Sequence, residues 1–306
     1  MDRRTFLKLQ AQGLLLLTAG PPLLSAAPAP ADAPPDVAVA KGKAGAATRA
    51  AVEMLGGMGR FVRPGHKVVI KPNMSFAKGV DSASNTHPEV VRELLIMCKE
   101  AGAAQVRVLD HSLQNPEQSL DLSGIRPACD SVEKNICHHL MNAGYYVTES
   151  IPDAAEMLEN AFMRDVLAAD VLIACPVAKS HSGAGVSLSL KGQMGLIFDR
   201  RIMHSRYNLD NSIVDMNKKI RPTLAVIDAT RVLTTGGPGG PGKVITPGEI
   251  IASADPVAAD ATAVASYEWY GRKMKPNQVG HIRMAHARKL GRMDIENLIT
   301  KRLDTA

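Results

Sequence analysis

Aromatic side chains are scarce in this chain: five Phe, five Tyr and one Trp make up 4% of its 306 residues. So few rings provide no stacking platform for single-stranded nucleic acid or sugars. Charge of one sign is not concentrated either. The formal net charge of +6, from 36 Lys and Arg against 30 Asp and Glu, is scattered along the chain instead of gathered in runs. A nucleic-acid partner is therefore not expected, and the surplus suits a small anionic ligand. Cysteine is sparse and badly spaced for clusters. Cys98, Cys129, Cys137 and Cys175 form no Cys-x-x-Cys pair, so no local iron–sulfur motif is present. Cys98 falls in an apolar helical pattern. Cys129 and Cys137 are expected on one helix, about 12 Å apart along its axis and unable to bridge. The Gly-x-Gly-x-x-Gly fingerprint, the P-loop and the Gly-x-Ser-x-Gly elbow are all missing, so no local motif fixes a reaction type.

The hydrophobic content of 45% supplies a sizeable core, and the first 35 residues stand apart from it. Asp2-Arg3-Arg4-Thr5-Phe6-Leu7-Lys8 is followed by an apolar stretch from Leu14 to Leu24, then Ser25-Ala26-Ala27 and a Pro/Ala-rich linker to about Pro35. The stretch is too short, and too interrupted by Gly20, Pro21 and Pro22, to be read as a bilayer span. It reads as a twin-arginine export signal. The expected partner is then the twin-arginine translocation machinery, and the expected location is the periplasm or the medium. Contact with a membrane is expected only through this segment, either cleaved near Ala27 or Ala33 or kept as an anchor. That route carries folded proteins, often loaded with a cofactor, without indicating which one.

Residues 36–306 read as a single α/β domain, with a mostly parallel central sheet and helices on both faces. Strands are expected at Val37–Ala40, Lys67–Ile70, Gln105–Leu109, Tyr145–Thr148, Val171–Ala174, Thr223–Ile227 and Ile250–Ala252. Helices are expected at Ala46–Met58, from about Pro88 to Ala101, and at Cys129–Asn142, Asp153–Ala168, Asn208–Lys219 and His281–Leu290. A further helix opens at Asp255-Pro256, with Asp255 as its cap. Residues 115–127 read as an exposed loop, residues 236–242 as a flexible Gly/Pro loop, and the last dozen as a small amphipathic tail.

Ligands of open α/β sheets lie beyond the carboxyl ends of the strands. The stretch from Val171 to Gly195 is an apolar strand, a break at Pro176, and a polar loop with Lys179, Ser180 and His181, followed by Ser187, Ser189 and Lys191. Lys71 and Asn73 sit just past another strand, where Pro72 stops the ladder. Lys71, Asn73, Lys191 and Ser187 are the candidate substrate-binding set, since ammonium and amide donors hold oxyanions. His181, His204, Lys179 and Asp110 are the candidate catalytic groups. His181, His204 and Asp260 form the candidate metal-ligand set; Asp260 attracts notice as a charge inside a small, apolar run. Two imidazoles and a carboxylate suit zinc, nickel or iron about equally, so the cofactor stays unspecified.

Several of these segments together resemble the exported members of the bacterial and archaeal family catalogued as domain of unknown function 362. They are Val69-Ile-Lys-Pro-Asn73, Thr86-His-Pro-Glu89, Cys175-Pro-Val-Ala-Lys-Ser-His181, Ser187-Leu-Ser-Leu-Lys191 with Met194-Gly195, and Ser253-Ala-Asp-Pro-Val-Ala-Ala-Asp260. The resemblance spans nearly all of the chain after residue 36 and implies an α/β fold but no defined biochemistry. Some relatives look fused to a cysteine-rich ferredoxin module, which this sequence lacks. Two functions remain open. One is a cofactor- or metal-dependent enzyme acting on a small anion in a Lys/His-lined cleft. The other is a periplasmic anion-binding or accessory protein without catalysis.

Overall fold

Runs such as Val171-Leu-Ile-Ala-Cys175 carry no polar residue on either face, which suits a strand covered on both sides. The computed structural model describes residues 33–305, so the export segment read at residues 1–35 lies almost entirely outside the described residues. In chain order the strands are β1 (Val37–Lys41), β2 (Lys67–Pro72), β3 (Gln105–Asp110), β4 (Cys137–His139), β5 (Tyr146–Ser150), β6 (Glu159–Met163), β7 (Val171–Cys175), β8 (Val177–His181), β9 (Gly185–Ser187), β10 (Leu224–Leu233), β11 (Val244–Ile245), β12 (Glu249–Ser253), β13 (Glu268–Trp269), β14 (Arg272–Lys273) and β15 (Thr300–Asp304). The main sheet runs β15-β1-β12-β10-β7-β2-β3-β4. Its block from β10 to β4 is parallel, and β12 joins β1 to β10 antiparallel to both. The fold is therefore α/β with a large, mostly parallel sheet. Pro34–Ala306 forms one compact unit.

Each face of the sheet has its own core. On one, the helices Ala44–Met54 and Pro88–Glu100 bury Val52, Val91, Leu94 and Leu95 against Val68, Ile70 and Val108. On the other, the helices Leu209–Lys219, Pro256–Ser266 and Gly280–Ala287 bury Ile213, Val257 and Ile282 against Val69, Leu172 and Ile227. The helix starts follow local chemistry. His87 accepts from Glu89 N with Pro88 in the first turn, Asn208 accepts from Asn211 N, and Asp255 accepts from Val257 N and Ala258 N. Side-chain acceptors of this kind satisfy the orphan amides of a helix start. No helix among the described residues is long and apolar enough to cross a membrane.

Four expectations are corrected. The helix placed over Cys129–Asn142 is instead a helix at Ile125–Asp130 followed by β4. Parallel pairing of Cys137 to His139 with Val108 to Asp110 overrides the local helical pattern. Cys129 and Cys137 therefore do not share a helix. The neighbouring Cys129 thiol, together with burial, pushes the Cys137 thiol well up. The helix placed over Asp153–Ala168 shrinks to Arg164–Leu167, preceded by β6, which pairs with β5 from Tyr146–Met163 to Ser150–Glu159. The stretch 115–127 contains the helix Pro116–Leu122, whose cap Asn115 accepts from Gln118 N. The tail forms β15, parallel to β1 at the sheet edge.

Candidate functional site

Strand order reverses where β7 meets β2, and residues at the carboxyl ends of β2 and β3 line a cavity. Lys71 is the last residue but one of β2, its side chain buried, its ammonium donating to Pro72 O and lying 3.1 Å from Asp110 Oδ1. Asp110 closes β3 and accepts from Ser75 Oγ at 2.9 Å, His111 N at 2.8 Å and Met74 N at 3.2 Å. Burial alone would raise this carboxyl, but Lys71, His139 and Arg200 outweigh it and hold the group below the usual carboxylate range. Gly195 packs against the pair. A Cβ there would stand 1.8 Å from Asp110 Oδ1 and 2.6 Å from Lys71 Cε, so only glycine fits.

The segment after Pro176 is not the polar loop expected from sequence. It is β8, which continues along the same partner as β7: both pair in parallel with β10, and Pro176 O accepts from Asp228 N. Lys179 and His181 are thus mounted on the sheet, with Ser187 of β9 directly across from Lys179. The Lys179 ammonium donates to Ser84 O and stands 5.0 Å from the centre of the Phe76 ring. Lys191 sits on the helix Ser189–Gly192, where its ammonium finds only the Met194 thioether at 3.4 Å, a weak acceptor. Burial lowers both amines to about 7, reinforced by Lys71 and Lys191 around Lys179 and by Arg200 and Lys71 around Lys191.

His181 Nδ1 accepts from Gly183 N and Ala184 N, each at 3.1 Å. A neutral imidazole has one donor and one acceptor nitrogen, so the ring hydrogen resides on Nε2. Burial, then Lys191, His204 and Lys179, lowers His181 to about 3. The ring is neutral at any ordinary pH. His204, exposed on the helix Arg201–Ser205, stacks on it with centroids 5.7 Å apart and planes at 19°. Burial and the nearby Lys191 and Arg200 lower His204 as well.

These groups enclose one cavity of about 270 Å³, and Lys71, Asn73, Asp110, Lys179, His181, Ser187, Lys191 and His204 all line it. Asp260 does not. Its carboxylate accepts from Ser189 N at 2.8 Å and Leu190 N at 3.0 Å, capping the short helix that carries Lys191. Burial raises Asp260 to about 7 against the pull of those amides. The set His181, His204 and Asp260 is therefore not assembled as ligands. Asp260 is occupied elsewhere, and the His181 tautomer points a hydrogen, not a lone pair, from Nε2. No group of three or more His, Cys, Asp or Glu among the described residues is arranged to hold a metal ion.

Sequence reasoning missed Ser75, Phe76, Arg200 and Pro238 in the lining. Arg200 donates to His111 O at 2.8 Å and Ser112 O at 2.7 Å, which locks its guanidinium beside the cavity. The basic run from Phe198 to Tyr207 was its only signal. Pro238 belongs to the Gly/Pro loop, which is pinned instead of flexible: Gly237 N donates to Ser180 Oγ at 2.9 Å, and Gly239 O accepts from Ser84 Oγ at 3.1 Å. A Cβ on Gly237 would lie 1.9 Å from Ser180 O. The glycines let backbone approach backbone.

Comparison with known proteins places this arrangement among relatives. A family model described as "Domain of unknown function (DUF362)" matches residues 68–265. The thylakoid-associated protein sll1697 of Synechocystis is 27% identical over 226 residues, which cover 70% of this chain and 67% of that protein. The lactate racemase apoprotein structure from Thermoanaerobacterium thermosaccharolyticum superposes with a TM-score of 0.48 at 16% identity. That alignment covers 76% of this chain and 58% of that one.

Proposed function

The chain belongs to the DUF362 family, whose description specifies no reaction, and from that premise we propose that its cleft is the active site of an enzyme working by proton transfer on a small anionic substrate. The single observation that carries this reading is the pair of lysine amines walled into one cavity beside a neutral imidazole donor. An amine lowered to about 7 is partly free base at neutral pH, which is the condition a general base needs. Lys179 and Lys191 supply that base. His181 presents Nε2–H as an uncharged donor to an oxygen on which charge develops, with Lys71 and Arg200 adding positive potential. A protein that only retained its ligand would gain nothing from amines partly deprotonated under working conditions. The cavity, near the lower end of the range for ligand pockets, restricts the substrate to a small metabolite.

The test is incubation of the purified protein in D2O with a panel of small carboxylates and phosphate esters, read by loss of carbon-bound proton signals in NMR spectra. Exchange that disappears in Lys179→Met and Lys191→Met supports the reading. Tight binding of a panel member without exchange would favour an accessory binding protein instead.

We further propose that the protein works in the periplasm or outside the cell, on the strength of Arg3-Arg4-Thr5-Phe6-Leu7-Lys8. Replacing both arginines by lysine is expected to leave the protein in the cytoplasmic fraction. An unchanged distribution would refute export by the twin-arginine route.

A further inference from the structure

We propose that the ligand of this cleft is a dianion, either a dicarboxylate or a phosphate, whose charge is shared between Lys179 and Lys191. This rests on the reading of the cleft as an anion site and goes on to its charge requirement. Lys71, Lys179, Lys191 and Arg200 all border the cavity, yet among the described residues Asp110 is the one carboxylate in its lining. Asp110 is already committed to Lys71 and to three hydrogen-bond donors.

The carboxylates on neighbouring elements are committed too. Asp260 caps the helix Ser189–Gly192. Asp228 of β10 is paired with Arg231. Asp215 accepts from the amides of Ala155, Glu156 and Met157 and pairs with Arg288. The cationic surplus of the cavity is therefore not offset by the protein, and buried charges require a partner.

The two lysines stand on different walls. Lys179 lies against Ser84 and Phe76, Lys191 against Met194. An ammonium has three donors. Lys179 spends one on Ser84 O, and Lys191 spends its one contact on a thioether, so each retains capacity for an anionic oxygen. A monoanion would hold the proton on one lysine and leave the other amine to lose its own, whereas a dianion keeps both charged. Two negative charges, on one phosphate or on two carboxylates, answer both. Ser75 and Ser187 add neutral hydroxyls on the same lining.

The experiment is isothermal titration of the full chain at about pH 8, where malonate and phosphate are dianions and each bound charge draws a proton onto a lysine amine, with malonate, inorganic phosphate and acetate, repeated on Lys191→Met and Lys179→Met. Malonate or phosphate is expected to bind at least about ten-fold more tightly than acetate, equivalent to about 1.4 kcal/mol. Whichever binds more tightly identifies the dicarboxylate or phosphate class. Each single Lys→Met change is expected to collapse that ratio towards unity while acetate binding persists. A purely structural role for the lysines would weaken all three probes together. Acetate binding as tight as both dianions in the unaltered protein overturns the proposal while leaving an anion cleft intact. Absence of binding by all three overturns the anion cleft and this inference with it. The wild-type ratio alone decides the question should either variant fail to fold.

Discussion

Replacing Lys191 by Met should make the protein more stable, and more so in acid than in base. Lys191 is almost fully buried, its ammonium touches only the Met194 thioether, and burial with Arg200 and Lys71 lowers the amine from 10.5 to about 7. At 1.36 kcal/mol per pH unit, that displacement corresponds to a folding penalty on the order of 5 kcal/mol. Side-chain relaxation and water entry reduce the expected gain to about 2 kcal/mol. The sign follows from proton counts. Between about pH 7 and 10.5 the unfolded chain holds the Lys191 proton and the folded chain has released it, so stability rises with pH across that window. Below about 7 both states are protonated at Lys191 and the penalty is complete. Methionine fills a similar volume without charge. Urea denaturation of both proteins at about pH 6.5 and pH 9.5 should show a clear stabilisation at the lower pH that shrinks at the higher one. A variant less stable than the parent at the lower pH, or an advantage that does not change with pH, would refute the account of a strained buried ammonium.

Gly195→Ala places a methyl group 1.8 Å from Asp110 Oδ1; overpacking of about 1–3 kcal/mol should lower the melting temperature, and an unchanged melt would contradict the packing around Lys71 and Asp110. Asp260→Ala removes the acceptor of Ser189 N and Leu190 N and should cost about 0.5–2 kcal/mol in urea titration, as loss of a helix cap does. Nitrogen-15 NMR of the histidines at about pH 5 should show His181 neutral with its hydrogen on Nε2, since the ring charges only near pH 3; a doubly protonated ring would contradict the two amide contacts at Nδ1. Gly237→Ala should destabilise the loop at Pro238, because its Cβ would lie 1.9 Å from Ser180 O, and a circular dichroism melt matching the parent's would argue against a pinned loop.

The parallel sheet was legible because its strands are uninterrupted apolar runs and its helices start at recognisable caps, as at His87-Pro88 and Asp255-Pro256. Lys71, Asp110 and Lys179 could be placed at one rim by the rule that ligands gather at strand carboxyl ends. Their mutual distances could not, since they depend on strand order, which local patterns do not encode. Cys129–Asn142 failed because β4 is three residues long and exists only through its pairing with β3. Asp260 looked like a ligand because a charge in an apolar run wants a partner. Its partners are two amides from a helix some seventy residues earlier. Arg200 escaped because backbone carbonyls, which have no sequence signature, hold it in place.

The shared partner strand of β7 and β8 has a mechanical consequence. Lys179 is tied to Leu233 of β10 and to Ser187 of β9, and His181 to Gly185 of β9, so neither backbone can shift without deforming the sheet. Across the cavity His204 rides on the helix Arg201–Ser205, where it is exposed, so its ring has a freedom to turn that the strand-mounted His181 lacks. Adjustment to an incoming molecule therefore falls to the His204 side chain, while Arg200, tied to His111 O and Ser112 O, stays fixed beside it.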